Sequence, residues 1–389
     1  MTLSRRHFFQ LAGTGTGFLL QAQLVKGQQS PIPEAALHRE QASVPMGRPV
    51  EIQAARAKVA LIHGENRRKN VYEALTTIDD QVQAGLRQKK YVVIKPNLVS
   101  VTEQLAATHV DALAGVLDYL APRFHGPVVI AEASARVDTL DGFENFKYTE
   151  LAKERKAQQV SLVDLNREGK YVTIALLDYS LHADPVRLAA RLADPDAYVI
   201  SCAMLKTHGS VVATMSVKNM VMGAPLHSAP GAPQWNDKRR YHAGVRQHNF
   251  NMYLTAQRLR PNWGVAVIDG FEGMEGNGPH RGTPVPSHLA IASTDFIAAD
   301  RVGLAAMGIN PEWLGYLVYS GQAGIGQYDL SKINVEGATI ASVARKYRLP
   351  AALNNDLQWM GPMDNLPPRP DLKSDLADPM HELHDYLWS

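Results

Sequence analysis

Cysteine is nearly absent: the 389-residue chain has one, Cys202. A lone cysteine excludes an intramolecular disulfide, and it excludes a zinc or iron–sulfur centre built from several thiolates of one chain. An excess of either charge sign is also missing. Lys and Arg number 40 against 38 Asp and Glu, a formal net charge of +2. No basic run carries interleaved aromatics, so no nucleic-acid partner is expected. Long apolar runs are lacking as well. The segment from Leu11 to Ala22 is too short and too Gly-rich to span a bilayer, which takes about 20 apolar residues.

What is present begins at the N-terminus. "MTLSRRHFFQLAGTGTGFLLQAQ" sets Arg5 and Arg6 after Ser4 and ahead of Phe8 and Phe9, with a modest apolar segment following. The pattern is that of a twin-arginine export signal, a receptor-read address and not part of the fold. It is expected over residues 1–27, followed by a linker over 28–56 rich in Pro, Gln, Ala and Ser. The implied partner is the twin-arginine translocase, and the implied location is periplasmic or otherwise extracytoplasmic.

From Lys58 onward, short Val/Ile/Ala runs alternate with helical spacing. "KVALI", "YVVIK", "PVVIAEA", "QVSLVDL", "YVTIALL", "AYVISCAML", "WGVAVI" and "HLAIAS" read as strands. Helices are expected after Asn70 as N-cap, after Thr108 as N-cap, and at about 148–157, 184–192, 246–260 and 295–307. Apolar strands without alternation indicate a sheet buried on both faces. The expected fold is α/β: a mostly parallel sheet covered by helices on both faces, in one large lobe or two intimately packed ones.

In open α/β sheets, ligands bind beyond the carboxyl ends of the strands. Lys95 and Asn97 follow one strand, Lys206 and His208 a second, and Asp269 with a glycine-rich stretch a third. Lys218 and Asn219 sit in "KTHGSVVATMSVKNMVMGAP", where a lysine amid small and apolar residues calls for a carboxylate or an anionic ligand. His208 is the candidate for proton transfer or metal ligation.

The stretch "IDGFEGMEGNGPHRG" reads as the wall of a site. Its carboxylates repel a bare phosphate, it lacks the Walker lysine pattern, and it falls short of EF-hand spacing. Two readings stay open. Asp269, Glu272 and Glu275 supply oxygen ligands to a hard divalent cation, or they pair with Lys95, Lys206 and Lys218 in a buried ionic network.

"YVVIKPNLV", Thr108–His109, "LKTH" followed by "SVKNMVMG", and "IDGFEGMEGNGP" followed by "ASTDFIAAD" resemble, in order and spacing, the DUF362 family. The resemblance runs from about Lys58 to Gly337. It implies an α/β domain over 57–340 with a C-terminal wrapping segment over 341–389, and a biochemistry largely unassigned. Many members of that family carry ferredoxin-type cysteine motifs; this chain departs from them, so an iron–sulfur cluster is not expected. Two functions are carried forward. One is an enzyme on a small anionic substrate, with His208, Lys206 and Lys218 catalytic. In it, Lys95, Asn97, Asn219 and Asn277 bind substrate, and Asp269, Glu272 and Glu275 hold any divalent metal. The other is a non-catalytic protein that binds a ligand or cofactor and delivers it to a periplasmic partner.

Overall fold

The computed structural model describes residues 56–135 and 138–360. The twin-arginine segment, nearly all of the expected linker and the tail from 361 lie outside the described residues. The described part belongs to one compact unit spanning Ile52–Ser389.

Among the described residues eleven strands are formed: β1 (Ala57–His63), β2 (Tyr91–Pro96), β3 (Val128–Glu132), β4 (Val160–Asp164), β5 (Tyr171–Leu177), β6 (Ala183–Ala189), β7 (Ala197–His208), β8 (Val212–Thr214), β9 (Trp263–Asn277), β10 (Arg281–Ser293) and β11 (Ile333–Gly337). Nine of them make one sheet in the order β11-β1-β10-β9-β7-β2-β3-β4, with β8 paired to β7. The block β9-β7-β2-β3-β4 is parallel throughout, and β10 enters antiparallel between β1 and β9. The expected α/β sheet is therefore observed.

Unalternating runs such as Val92–Ile94 and Val128–Ala131 are buried because helices cover both faces. On one face lie Ser216–Gly223, Val245–Leu259, Phe296–Met307 and Gly315–Gln322; on the other, Arg67–Thr77, Asp79–Leu86, Val110–Leu120 and Tyr148–Glu154.

Several expected elements differ from those observed. The helix expected over 184–192 is β6, which pairs antiparallel with β5 in a separate two-stranded sheet. Cross-strand pairing and Pro185 override its helical spacing. The helix expected after Asn70 is two helices, and Asn66 is the N-cap, accepting from the Lys69 N–H at 2.9 Å. Asn70 is instead buried, and its amide donates to the Gly64 and His288 carbonyls at 2.7 and 3.0 Å. His109, not Thr108, caps Val110–Leu120. The Thr108 hydroxyl ties β2 to β7, accepting from Asn97 N and donating to the Cys202 carbonyl at 2.8 and 2.7 Å.

Two strands run past their expected ends. β7 continues to His208 with every residue buried, and β9 continues through the glycine-rich stretch to Asn277. In both cases an antiparallel partner (β8 and β10) supplies backbone hydrogen bonds that composition does not reveal.

Tyr198 fills the space above two glycines. A Cβ at Gly85 or Gly264 would lie 2.6 Å from its ring, and its hydroxyl, though buried, has no hydrogen-bond partner among the described residues. Removing an unsatisfied buried hydroxyl leaves packing intact and relieves desolvation. Tyr198→Phe is expected to stabilise the protein by about 1 kcal/mol in denaturant unfolding; a loss of comparable size would mean that the hydroxyl is hydrogen-bonded.

Candidate functional site

The carboxyl ends of β7, β2 and β3 lie side by side, and each brings an ionisable residue to the same edge. Lys95 at the end of β2 and Glu132 at the end of β3 form a buried ion pair. The Lys95 ammonium donates to Glu132 Oε1 at 2.9 Å and Oε2 at 2.8 Å, to Asn219 Oδ1 at 3.2 Å and to the Pro96 carbonyl at 3.1 Å. Burial pulls the Lys95 pKa down, and Glu132 opposes that pull.

Asn219 comes from the helix Ser216–Gly223. Its amide donates back to the Lys95 carbonyl and to Ser201 Oγ at 3.1 and 3.0 Å. The helix is fixed at both ends by side chains. Asp300 accepts from the Ser216 and Val217 N–H groups at 2.9 and 3.1 Å, satisfying donors that a first turn leaves open. Burial raises the Asp300 carboxyl to about 7, against the pull of these hydrogen bonds. At the other end, the Lys238 ammonium donates to the Met222 and Gly223 carbonyls at 3.0 and 3.4 Å, where the helix dipole favours a cation.

These groups surround a cavity of about 390 Å³. Its polar lining includes Lys95, Asn97, Glu132, His208, Thr214, Lys218, Asn219, Asn236, Lys238, Arg239 and His242. Glu132 is the one carboxylate among the described lining residues, and Lys95 already neutralises it. Lys218, Lys238 and Arg239 are thus left without a carboxylate in the wall. Burial pushes Lys218 down to about 7, with Asp356 opposing. Lys238 also falls to about 7 through burial, aided by Lys95 and opposed by Glu132. His208 and the neighbouring His248 are driven well below the usual histidine range, first by burial and then by the cations around them, so both imidazoles are neutral. The buried Thr214 hydroxyl and His248 Nε2 have no hydrogen-bond partner among the described residues.

Of the residues expected at the site, Lys95, Asn97, His208, Lys218 and Asn219 come together in this cavity. Lys206 lies one layer behind. It is fully buried, and its ammonium donates to Asn97 Oδ1 at 2.5 Å and the Ala106 carbonyl at 3.3 Å. Burial, with help from Lys218, drives its pKa well down.

The carboxylates of the glycine-rich stretch go elsewhere. Asp269 is buried against Arg67, with Nε 3.3 Å from Oδ2. Glu272 is exposed. Glu275 accepts from the Arg348 N–H at 2.8 Å and faces its guanidinium. Successive steps of three along a strand alternate faces, and six residues span about 20 Å of extended chain, so the three do not converge. Neither do they reach Lys95, Lys206 or Lys218; the cations beside Asp269 and Glu275 are arginines. Among the described residues no cluster of His, Cys, Asp and Glu is arranged to hold a metal ion. Asn277 also has a structural partner, accepting from the Ala351 N–H at 2.8 Å.

The stretch still contributes a wall. The turn after β9 brings Pro279 to the cavity, held by the Gly209 N–H donating to the Gly278 carbonyl at 3.0 Å and by the Thr207 hydroxyl donating to the Gly276 carbonyl at 2.8 Å. Residues 345–351 strap the same turn, with the Gly276 N–H donating to the Arg348 carbonyl at 2.8 Å.

Sequence reading missed Glu132, Thr214, Lys238 and Arg239. Glu132 follows "VVIA" at a strand end, the same signal that identified Lys95. Lys238 and Arg239 sit in a polar segment without periodicity, where nothing local separates a cavity residue from a solvated one.

A family model described as "Domain of unknown function (DUF362)" matches residues 92–305, a span that includes every cavity residue named above. The "Thylakoid-associated protein" of Synechocystis sp. is 28% identical over 249 residues, covering 62% of this chain and 70% of that one. A crystal structure of a protein from Thermotoga maritima aligns with a TM-score of 0.42 at 10% identity, over 60% of this chain and 57% of that chain.

Gly223 makes the Lys95–Glu132 pair possible, since a Cβ there would lie 2.1 Å from Lys95 Cε. Gly223→Ala is expected to push Lys95 off Glu132 and cost about 3 kcal/mol, the scale for breaking a buried ion pair. Denaturant unfolding measures this; unchanged stability would mean that the pair accommodates a methyl group.

Proposed function

Taking as premise that the chain belongs to the DUF362 family, whose description assigns no activity, we propose that it is an exported enzyme acting on a small anionic substrate. The cavity's charge balance carries this reading: among its described lining residues no carboxylate is left to answer Lys218, Lys238 and Arg239, and the acid acting on Lys218, Asp356, lies outside that lining. Lys218 and Lys238 are buried while Arg239 is exposed at the rim; buried cations are costly unless an anion compensates them, and a phosphate or carboxylate group is the natural complement. The orphan Thr214 hydroxyl supports a ligand that supplies the missing hydrogen bond. Neutral His208 and a lysine close to neutrality favour proton transfer at physiological pH. A divalent cation in this scheme enters with the anion, because Asp269 and Glu275 are committed to arginines. Export rests on the Arg5–Arg6 pattern. Among the described residues no helix is long and apolar enough to cross a membrane.

One observation favours the alternative, a binding protein that passes its ligand to a periplasmic partner. Among the described residues the cavity wall holds no Ser or Cys, and its Thr214 hydroxyl is not hydrogen-bonded to a base. Native mass spectrometry of the full exported chain separates the two readings. A co-purified anion that is chemically converted on incubation supports the enzyme, and one returned unchanged supports the carrier.

The anion site itself is tested with sulfate, whose charge is constant from pH 6 to 9. Lys218 and Lys238 are depressed to about 7, so the cationic form that attracts the anion is present below that pH and lost above it. Sulfate affinity measured by calorimetry is therefore expected to fall as pH rises, with proton uptake on binding near pH 7. Lys218→Met or Lys238→Met is expected to weaken it by about tenfold to a hundredfold, the worth of one charge-assisted contact. An affinity flat across that range and indifferent to both substitutions would sink the reading.

A further inference from the structure

The three lysines of the cavity are held in different ways. Lys95 donates to four acceptor atoms, two of them carboxylate oxygens, and is fixed as an ammonium. Lys238 is held by two carbonyls at a helix end. Lys218 forms no hydrogen bond or ion pair with the described residues, although it is only 8% exposed and lines the cavity. The titratable groups around it are mostly bases, of which Lys206, His208 and His248 are held toward their neutral forms. Lys206 and His208 approach from β7, His248 from the helix Val245–Leu259, and Lys238, Arg239 and His242 from the segment before that helix. The acid that acts on it is Asp356.

An amine out of water and without an acceptor to hold its proton keeps its lone pair available. We propose that Lys218 is a nucleophile that condenses with the carbonyl carbon of an anionic keto acid or aldehyde whose charged group is held by Lys238 and Arg239. This rests on the anion-site reading and adds the reacting atom and the substrate class. Burial of Lys218 to about 7 leaves a large neutral fraction at physiological pH.

The step balances without an oxidant or reductant. The Nζ lone pair attacks the carbonyl carbon and the C=O π pair moves to oxygen, which takes a proton as nitrogen gives one up. The hydroxyl then departs with a second proton as water while the nitrogen lone pair closes the C=N bond. Amine plus carbonyl gives imine plus water. His208, neutral and lining the same cavity, is placed to carry the proton between nitrogen and oxygen. Once protonated, the imine draws electrons from the bonds of the adjacent carbon, which suits decarboxylation, dehydration or carbon–carbon cleavage of a keto acid.

The test uses the full folded chain with pyruvate or glyoxylate, followed by borohydride, which reduces an imine to a stable secondary amine. Peptide mapping is expected to find the reduced adduct on Lys218 and not on the exposed Lys69 or Lys90. Lys218→Arg keeps a cation but not the nucleophilic amine, so it is expected to lose the adduct. No adduct on Lys218 with either probe, or labelling spread evenly over exposed lysines, overturns the proposal. Sulfate calorimetry on the same samples tells the failures apart: sulfate bound without an adduct sinks the nucleophile alone, and neither signal sinks the anion site with it.

Discussion

The buried ion pair between Lys95 and Glu132 joins the ends of two adjacent parallel strands, and the rest of the site is arranged around it. Asn219 reaches the Lys95 ammonium from the helix Ser216–Gly223, which fixes the rotation of that helix and with it the direction of Lys218. Asn97 bonds to Asn219, and Lys206 bonds to Asn97 behind it. Gly223 must lack a side chain for the pair to exist, which leaves its backbone and the Met222 carbonyl close enough to capture Lys238. One carboxylate thus organises four lysines while neutralising only one.

That arithmetic explains the electrostatics. A protein seldom buries cations in excess unless something else completes the balance. Here burial, not a counter-charge, dominates the pKa of Lys218 and Lys238, and both lie near 7. The cavity thus sheds part of its charge by losing protons as pH rises through about 7. Asp300, at the opposite end of the same helix, is raised to about 7 by the same desolvation. The helix that presents Lys218 therefore begins on a carboxyl and carries an amine that titrate in one pH range.

The rule that ligands gather at strand ends made much of the site legible in the sequence. It identified Lys95, Asn97, Lys206 and His208, and the misfit of Lys218 with its apolar surroundings identified the helix that carries it. Where the reading went astray, the cause was long-range pairing. The glycine-rich stretch has the composition of a loop, yet β10 pairs with it from Glu272 to Asn277 and makes it a strand. Strand geometry then separates carboxylates that three-residue spacing on a turn would have gathered. Arg67 and Arg348, which take up Asp269 and Glu275, lie some 200 and 73 positions away, beyond the reach of any local pattern. Lys238 and Arg239 share that limitation, since only the tertiary fold distinguishes them from solvated residues.

The turn that carries Pro279 has one more implication, for the order in which the molecule is completed. Its strap, residues 345–351, comes late among the described residues, and β1, the first described strand, pairs with β11, the last. A nascent chain halted before Arg348 already contains every charged residue of the cavity, yet lacks the clamp on one of its walls. The Pro279 wall is thus completed only when residues 345–351 dock on the turn, so that side of the cavity depends on a segment remote in sequence from the strands that carry its charges.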